Sequence, residues 1–126
     1  MPYVLGVDVG TQGVKGVLLD ESMNVLTGAY AEHTYIQPKP NWFEHDAEKT
    51  WWGGFKLIVR QLLEKAKVSP REIVGVGCST ITPCMLPGDE DGNPLRNAIL
   101  YGIDTRNKQE IKELLQLLGE ETAPNT

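Results

Sequence analysis

A short glycine-rich turn between two apolar runs, close to the start of the chain, constrains the fold more than any other feature. The runs Tyr3–Val9 and Val14–Leu19 are rich in Val and Leu, and β-branched residues favour strands. The turn between them, residues 10–13 (GTQG), has a glycine at each end, and glycine readily adopts the positive φ angles of tight turns. The sequence therefore predicts an N-terminal β-hairpin.

Asp8 interrupts the first apolar run just before this turn. A carboxylate costs free energy in apolar surroundings unless it is solvated, paired or close to a metal ion. Thr11 and Gln12 add hydrogen-bond donors, and four nearby glycines allow another group to approach the backbone closely. This combination predicts a site for phosphate oxygens and Mg²⁺, with the carboxylate on the metal side. For the Asp-x-Gly-Thr pattern alone, an ordinary hairpin whose Asp8 starts a turn remains the alternative.

Length and composition indicate one globular domain with a hydrophobic core. The chain has 126 residues, of which 40% are hydrophobic and 23% charged, as in soluble proteins. Its net charge of −5 disfavours a nucleic-acid partner, and no segment has the roughly 18 apolar residues of a membrane span. Cys78 and Cys84 are expected to be buried as small hydrophobic residues. Without a disulfide framework or signal peptide, we expect a cytoplasmic location.

After the hairpin, the sequence predicts a third strand and then a long helix. The third strand, Val25–Tyr35, follows a polar turn and should therefore pair antiparallel with its neighbour. A helix of about 20 residues should begin after Asp46, a good N-cap, because apolar residues recur there with helical spacing. Gly53 and Gly54 weaken this helix and indicate close packing or a bend. The predicted core contacts of the third strand are Leu26, Ala29 and Tyr30.

The second half of the chain predicts a parallel strand, a short return strand and a final helix. Ser69–Glu72 has the capping-box pattern, and the strand Ile73–Thr80 that follows should lie parallel to the first strand, since a helix connects them. Its end is rich in hydroxyl groups, where α/β folds place ligands. A further strand is expected at Leu95–Tyr101. It should be followed by a helix that is capped by Asp104 or Thr105 and stops at Gly119, with these apolar residues on one face: Ile111, Leu114, Leu115 and Leu118. We expect a polar tail at Glu120–Thr126 and surface positions for His33 and His45.

Three stretches resemble, in the expected order, motifs of the FGGY carbohydrate kinase family. Residues 5–11 (LGVDVGT) resemble the family's first phosphate motif. Residues 41–46 (NWFEHD), with Trp51 in the following helix, resemble its Gly-Trp-x-Glu-x-Asp segment. Residues 91–100 (DGNPLRNAIL), followed by residues 104–106 (DTR), resemble the stretch before its Trp-x-Asp-x-Arg motif. Each motif alone is short, but the ordered set covers essentially the whole chain.

The resemblance implies an α/β fold of the actin–Hsp70–hexokinase (ribonuclease H-like) ATPase class, in which three antiparallel strands precede a helix and parallel strands. It also implies transfer of the ATP γ-phosphoryl group to a sugar hydroxyl, with ATP and Mg²⁺ as cofactors and a sugar or polyol such as xylulose as substrate. By this resemblance Asp8 is the metal residue. The phosphate-binding residues are Gly10, Thr11, Gln12 and Lys15, and the substrate-side residues are Asp104 and Arg106. Thr80 and Thr82, in the hydroxyl-rich end of the strand Ile73–Thr80 and just after it, are expected to face the sugar as well.

Two positions depart from the pattern of the xylulose-specific members. Those kinases have Gln-Met-His-Gly where this chain has residues 81–84 (ITPC), so the histidine that reads the sugar is missing. The aromatic residue of the Trp-x-Asp-x-Arg motif is Tyr101, with one extra residue before Asp104. The departures leave the identity of the sugar open.

Members of this family are several times longer than this chain. The resemblance therefore implies that residues 1–126 are part of the N-terminal domain, and that the C-terminal domain, the catalytic base and the adenine pocket lie beyond Thr126. The expected partner is this remaining part of the enzyme. Because faces that would meet it expose apolar surface, we also expect a homo-oligomer.

Two functions from other classes remain as alternatives to a sugar kinase. A small ribonuclease-H-like nuclease, such as a Holliday-junction resolvase, opens with a similar hairpin but needs convergent carboxylates for two metals and a basic face for the duplex. A non-catalytic nucleotide-binding module is the other alternative.

Overall fold

The computed structural model describes residues 1–119, so the predicted polar tail Glu120–Thr126 lies outside the described residues. The strands are β1 (Tyr3–Val9), β2 (Gly13–Leu19), β3 (Val25–Glu32), β4 (Glu44–His45), β5 (Ile73–Thr80) and β6 (Ala98–Ile99). The helices are α1 (Gly53–Ala66), which continues directly from a π-helical segment at Ala47–Trp52, and α2 (Lys108–Leu118). No helix within residues 1–119 is long and apolar enough to cross a bilayer.

The main sheet has four strands in the order β3-β2-β1-β5. β1 pairs antiparallel with β2, β2 antiparallel with β3, and β1 parallel with β5. The hairpin, the antiparallel third strand and the parallel crossover strand are therefore confirmed. The third strand ends at Glu32 rather than Tyr35. Glu32 pairs with Gly13, which is the first residue of β2, so β2 has no further strand residue with which residues 33–35 could pair.

The hydrophobic core lies between one face of this sheet and α1. Side chains alternate between the two faces of a strand, so only every second residue of β3 can face the helix. Ala29 packs against the core, whereas Leu26 and Tyr30 are 47% and 53% exposed. The prediction that these two residues are core contacts was wrong. The buried core residues are Leu5, Val7, Val9, Val14, Leu18, Ile58 and Leu62.

Two glycines allow α1 to lie close to β2. A Cβ atom at Gly16 would overlap Cγ2 of Ile58, and a Cβ atom at Gly54 would lie 2.6 Å from Cγ2 of Val14. The helix begins as predicted, since Asp46 accepts a hydrogen bond from the Lys49 amide at 3.0 Å. The close packing predicted around Gly54 is confirmed.

A second, two-stranded sheet lies outside this core. β6 pairs with β4, and both strands are two residues long; Ile99 also forms an isolated antiparallel bridge with Met85. The predicted strand Leu95–Tyr101 is therefore reduced to Ala98–Ile99, because β4 offers no longer partner. Together, β4 and β6 bring the segment around residue 44 next to the segment that precedes α2.

The last helix starts later than the sequence predicted. It begins at Lys108, with Asn107 at the N-cap position. The Asp104 carboxylate accepts from the Phe43 amide and from Arg106, and the Thr105 backbone amide donates to the Asn41 carbonyl at 2.9 Å, so residues 104–105 are held by tertiary contacts before the helix begins. The predicted apolar face exists, but Leu115 is half-buried and Ile111, Leu114 and Leu118 are exposed.

The capping box before β5 is confirmed, with a 3-10 turn at Pro70–Glu72. β5 itself is an edge strand that α1 does not cover. Cys78 on this strand is exposed, and Cys84 is half-buried. The prediction that both cysteines are buried was therefore wrong for Cys78.

Candidate functional site

A row of polar side chains crosses the sheet on the face opposite α1. Asp8 on β1 is in register with Lys15 on β2 and with Ser79 on β5, and Lys15 is in register with Tyr30 on β3. All four residues are exposed. The Ser79 hydroxyl donates a hydrogen bond to Oδ1 of Asp8. The carboxylate thus stands on an open surface, oriented by a neighbouring strand and next to a lysine.

The turn between β1 and β2 lies beside this row. The Gly10 amide donates to the Gly13 carbonyl at 2.9 Å. Among the described residues neither glycine has a positive φ, so the expectation that they supply that conformation was wrong. Their role is close packing, because a Cβ atom at Gly10 would lie 3.2 Å from the Gly13 carbonyl oxygen, and one at Gly13 would overlap the Tyr30 ring.

A cavity of about 330 Å³ is lined by the turn residues together with Asp8, Lys15 and Tyr30. It thus brings together the predicted metal residue and the four predicted phosphate-binding residues, Gly10, Thr11, Gln12 and Lys15. Backbone amides at a tight turn and a lysine side chain attract phosphate oxygens.

Asp8 is the one carboxylate among the described residues that line this cavity. No group of three metal-binding side chains occurs within the described part of the chain. Mg²⁺ commonly keeps several waters and is held by one or two carboxylates together with substrate phosphates. The exposed Asp8 carboxylate, beside a turn suited to phosphate, fits that mode of binding.

Two histidines lie behind the turn, where the sequence analysis placed them at the surface. His45 is 0% exposed. Its Nε2 lies 3.1 Å from the Thr11 carbonyl oxygen, and its Nδ1 accepts from the Trp51 indole at 2.9 Å. The His33 ring packs edge-on against it, with 4.9 Å between centroids. His33 is half-buried, with both ring nitrogens shielded from solvent. The expected surface positions were therefore wrong.

Burial is the main cause of a lowered pKa at both histidines, because it disfavours the charged imidazolium. For His45, the neighbouring His33 lowers the pKa further, while the Thr11 carbonyl opposes the shift. For His33, the backbone of Gly10 opposes it. Both rings are therefore held neutral behind the turn at neutral pH.

A charged cluster lies next to His45, where β4 meets the segment before α2. Nη2 of Arg106 donates to Oδ2 of Asp104 at 2.6 Å and to Oε2 of Glu44 at 2.8 Å. Arg96 contacts the same Glu44 oxygen at 2.8 Å. The Arg106 guanidinium also stacks on Trp42, with Cζ 4.1 Å from the ring centroid. Arg106 is thus held by two carboxylates and an aromatic face.

Hydrogen bonds keep both carboxylates of this cluster charged. Burial alone would raise the pKa of Glu44, but the bonds from Arg106 and Asn97 outweigh it and lower the pKa. For Asp104, bonds from Arg106 and from the Phe43 amide at 2.7 Å outweigh burial in the same way. The cluster ties residues 42–44 to residues 104–106 at neutral pH.

A cavity of about 610 Å³ borders this cluster and is lined in part by Trp42, Tyr101, Asp104 and Arg106. The predicted substrate-side residues Asp104 and Arg106 therefore share one cavity. Thr80 and Thr82 are exposed and line neither this cavity nor the one at the turn, as far as the described residues show.

Sequence reasoning missed the histidine pair, Glu44 and Arg96. The one available signal was Trp51, six residues after His45, because a tryptophan that packs against the core needs an acceptor for its indole N–H.

The chain is similar in sequence to known glycerol kinases. The chain is 34% identical over 122 residues to a glycerol kinase from Desulforamulus reducens and 32% identical over 118 residues to one from Thermococcus gammatolerans. These matches cover 95% and 94% of the chain but 24% of each relative. The chain thus spans about a quarter of the length of these relatives.

A solved structure gives the same result for the fold. The crystal structure of a xylulose kinase from Rhodospirillum rubrum matches with a TM-score of 0.81 and 26% identity, covering 94% of this chain and 24% of that one. The fold is therefore that of the actin–Hsp70–hexokinase ATPases, as predicted.

Residues 3–125 match the sequence profile described as "FGGY family of carbohydrate kinases, N-terminal domain". The chain belongs to the FGGY family of carbohydrate kinases.

Proposed function

We propose that the complete protein is an ATP-dependent kinase that transfers the γ-phosphoryl group of ATP to a hydroxyl group of a sugar or polyol. The observation that carries this proposal is the juxtaposition of the Asp8 carboxylate, Lys15 and the 10–13 turn around one cavity, in a chain that belongs to a family of carbohydrate kinases. Membership of a carbohydrate kinase family argues against the nuclease alternative. The assay described below distinguishes a kinase from a non-catalytic member of the family.

The turn would receive the phosphate end of ATP. Phosphoryl transfer requires positioning and neutralisation of charge more than covalent participation by the protein. We propose that Asp8 holds Mg²⁺, directly or through water, and that Gly10, Thr11, Gln12 and Lys15 contact the phosphates. The bound Mg²⁺ would supply charge neutralisation at the transferred group. The Ser79 hydroxyl, bonded to Asp8, would orient that carboxylate.

The sugar would bind towards the charged cluster. Asp104 and Arg106 line the larger cavity, but the Arg106 donors Nε and Nη2 already serve Asp104 and Glu44. We propose that Arg106 braces Trp42, on which it stacks, and that the exposed Tyr101 ring in the same cavity offers its face to the C–H surface of a polyol. Thr80 and Thr82, at the end of β5, would complete this side. The relatives include kinases of glycerol and of xylulose, so the proposed substrate class is polyols and ketoses.

We further propose that residues 1–126 form part of the N-terminal domain. The catalytic base and the adenine pocket would be supplied by sequence outside these residues, which would be the partner of this domain. A cytoplasmic location and a homo-oligomeric state belong to the same proposal.

The test is to assay the complete protein with Mg-ATP against glycerol, xylulose, gluconate and a panel of other ketoses, aldoses and polyols, and to follow ADP release. We expect release to depend on one compound or a few related ones, and to stop when EDTA removes the metal. Reactions without any sugar measure background ATP hydrolysis. ADP release that no compound in the panel stimulates would contradict the proposal and favour a non-catalytic module.

A further inference from the structure

Two successive carbonyl groups of the 10–13 turn accept hydrogen bonds from the histidine side of the structure. The Thr11 carbonyl oxygen lies 3.1 Å from Nε2 of His45. The Gln12 carbonyl accepts from the backbone amide of His33 at 2.9 Å. The turn that lines the candidate phosphate cavity is therefore held from behind by residues that do not line that cavity.

The partners of His45 define its tautomer. The Trp51 indole can only donate a hydrogen bond, so Nδ1 of His45, 2.9 Å away, must accept. A neutral imidazole with an unprotonated Nδ1 carries its proton on Nε2. That proton points at the Thr11 carbonyl, which can only accept. The neutral Nε2–H form is the form that satisfies both partners, and the complete burial of the ring favours a neutral form.

A hydrogen bond to the Thr11 carbonyl also determines where the next amide points. In a trans peptide, the C=O of one residue and the N–H of the next are antiparallel and lie in one plane. When His45 holds the Thr11 carbonyl on the buried side, the Gln12 N–H is directed to the opposite side. Gln12 lines the candidate phosphate cavity, so that is the side on which a phosphate oxygen would need a donor.

We propose that His45 is a positioning residue for phosphate binding, which, through its Nε2–H bond to the Thr11 carbonyl, aims the Gln12 amide at the terminal phosphate of a bound nucleotide. The proposal rests on the proposed kinase function for its ligand. Trp51 fixes the tautomer, so the chain of contacts runs from the tryptophan at the start of the helix, through His45, to the turn.

Two substitutions separate the two hydrogen bonds of His45. His45→Gln keeps an N–H donor at the position of Nε2, within reach of the Thr11 carbonyl. His45→Asn is too short for that contact but can still accept from the Trp51 indole. Both replace the ring by a neutral amide at the same buried place, but Asn is smaller and leaves more empty volume, so a role in packing alone predicts a larger loss of stability for Asn without a selective change at the Thr11 carbonyl. A positioning role predicts that Gln restores what Asn loses.

The first readout is NMR of the complete protein, labelled selectively at histidine and threonine, and it does not depend on kinase activity. In the wild type, the imidazole ¹⁵N shifts should show Nε2 protonated and Nδ1 unprotonated. The ¹³C shift of the Thr11 carbonyl, which reports hydrogen bonding to that group, should change in His45→Asn and stay close to the wild-type value in His45→Gln. A proton on Nδ1, or an unchanged Thr11 carbonyl in the folded Asn variant, would overturn the proposal.

The second readout is steady-state kinetics of the complete enzyme. We expect kcat to fall about tenfold in His45→Asn, the rate equivalent of one lost hydrogen bond of about 1.4 kcal/mol, with KM for the sugar unchanged and kcat largely restored in His45→Gln. Equal losses in both variants would contradict positioning. If the wild-type enzyme shows no kinase activity, the proposed function fails, while the NMR result still decides whether His45 sets the turn.

Discussion

Arg106 connects parts of the chain that are far apart in sequence. Its side chain is 13% exposed and bonds Glu44, 62 residues earlier, while its guanidinium stacks on Trp42. Removing one partner of a buried ion pair is more costly than the pair's own net contribution, because the remaining charges are left without compensation. In this cluster two carboxylates would lose their shared donor.

We therefore expect Arg106→Met to lower the free energy of unfolding by about 3–5 kcal/mol, the usual cost of breaking a buried pair. The control is Arg60→Met on the exposed side of α1, which should change stability by less than about 0.5 kcal/mol. Urea unfolding followed by circular dichroism measures both. Similar, small losses in the two variants would show that the cluster does not join the two segments.

The buried histidines make stability depend on pH. Both have a lowered pKa in the folded chain, whereas an unfolded histidine titrates near pH 6.5. Acid therefore protonates the unfolded state first and favours it. We expect the free energy of unfolding to be constant between about pH 8 and 7 and to decline from about pH 6.5 downwards.

The His45→Gln variant should show a shallower decline, because one of the two titrating rings is gone while His33 remains. Urea midpoints measured from pH 8 to 5.5 test this, in a range above the titration of Glu44 and Asp104. A slope that is the same in the variant would mean that His45 does not contribute.

At the scale of the residue, short-range chemistry could be predicted and long-range partners could not. Asp8 stood out because a carboxylate in an apolar strand beside a glycine turn has few explanations, and the structure places it with the turn residues. His45 did not stand out, since its burial depends on Thr11, 34 residues away. A polar residue's environment follows from such partners, which local sequence does not contain.

At the scale of the element, the close contact between β2 and α1 depends on Gly16. A Cβ atom there would overlap Ile58 and would lie 2.9 Å from a methyl carbon of Leu62, both fully buried. Extra volume in a well-packed core forces side chains or backbone to shift, which costs about 1–3 kcal/mol. We expect Gly16→Ala to lower the thermal midpoint by at least several degrees.

Gly28→Ala is the matched control, because Gly28 lies on the adjacent strand and a Cβ atom there would make only an ordinary contact at 3.6 Å. Its effect on the thermal midpoint, measured by calorimetry, should be much smaller than that of Gly16→Ala. Equal midpoints for the two variants would show that α1 can move away from β2 without cost.

Elements with strong periodic patterns were predicted well, and those that depend on a partner were not. The hairpin, α1 and β5 follow from apolar runs, capping residues and the crossover rule, and the structure confirms them. β6 is shorter than its apolar run because β4 has only two residues to pair with. α2 starts late because the Asp104 carboxylate and the Thr105 backbone amide form tertiary hydrogen bonds that hold residues 104–105 outside the helix.

At the scale of the whole molecule, one face of the sheet carries the candidate site and is not covered by the described residues. Val17 is exposed on this face. Val76, which is in register with the buried Leu5, is exposed on the other face of the sheet at β5, and the apolar residues of α2 are exposed as well. Exposed apolar patches commonly mark surfaces for other protein segments or copies. The phosphate end of the proposed site thus lies on an open surface.

We expect residues 1–126 on their own to release no ADP in a sugar-dependent way. A catalytic base typically contributes 10²–10⁴ in rate, and holding the reactants in line can contribute roughly 7–11 kcal/mol; neither is provided by the described residues under our proposal. The measurement is ADP release by the purified chain with Mg-ATP and the sugar panel. Turnover above the level of a mock purification would show that these residues hold a complete site.

The most direct test of the account is the turnover of the complete enzyme after Asp8→Asn, with Glu21→Gln, an exposed carboxylate in the turn after β2, as the control. Asn keeps the size of the side chain and an oxygen for Ser79 but removes the negative charge that would hold Mg²⁺. Loss of one electrostatic stabiliser typically lowers kcat by about 10²–10³. We predict a loss of that size for Asp8→Asn with unchanged unfolding, and wild-type turnover for Glu21→Gln. Turnover of Asp8→Asn close to that of the wild type would contradict the assignment of the hairpin as the phosphate and metal end of the site.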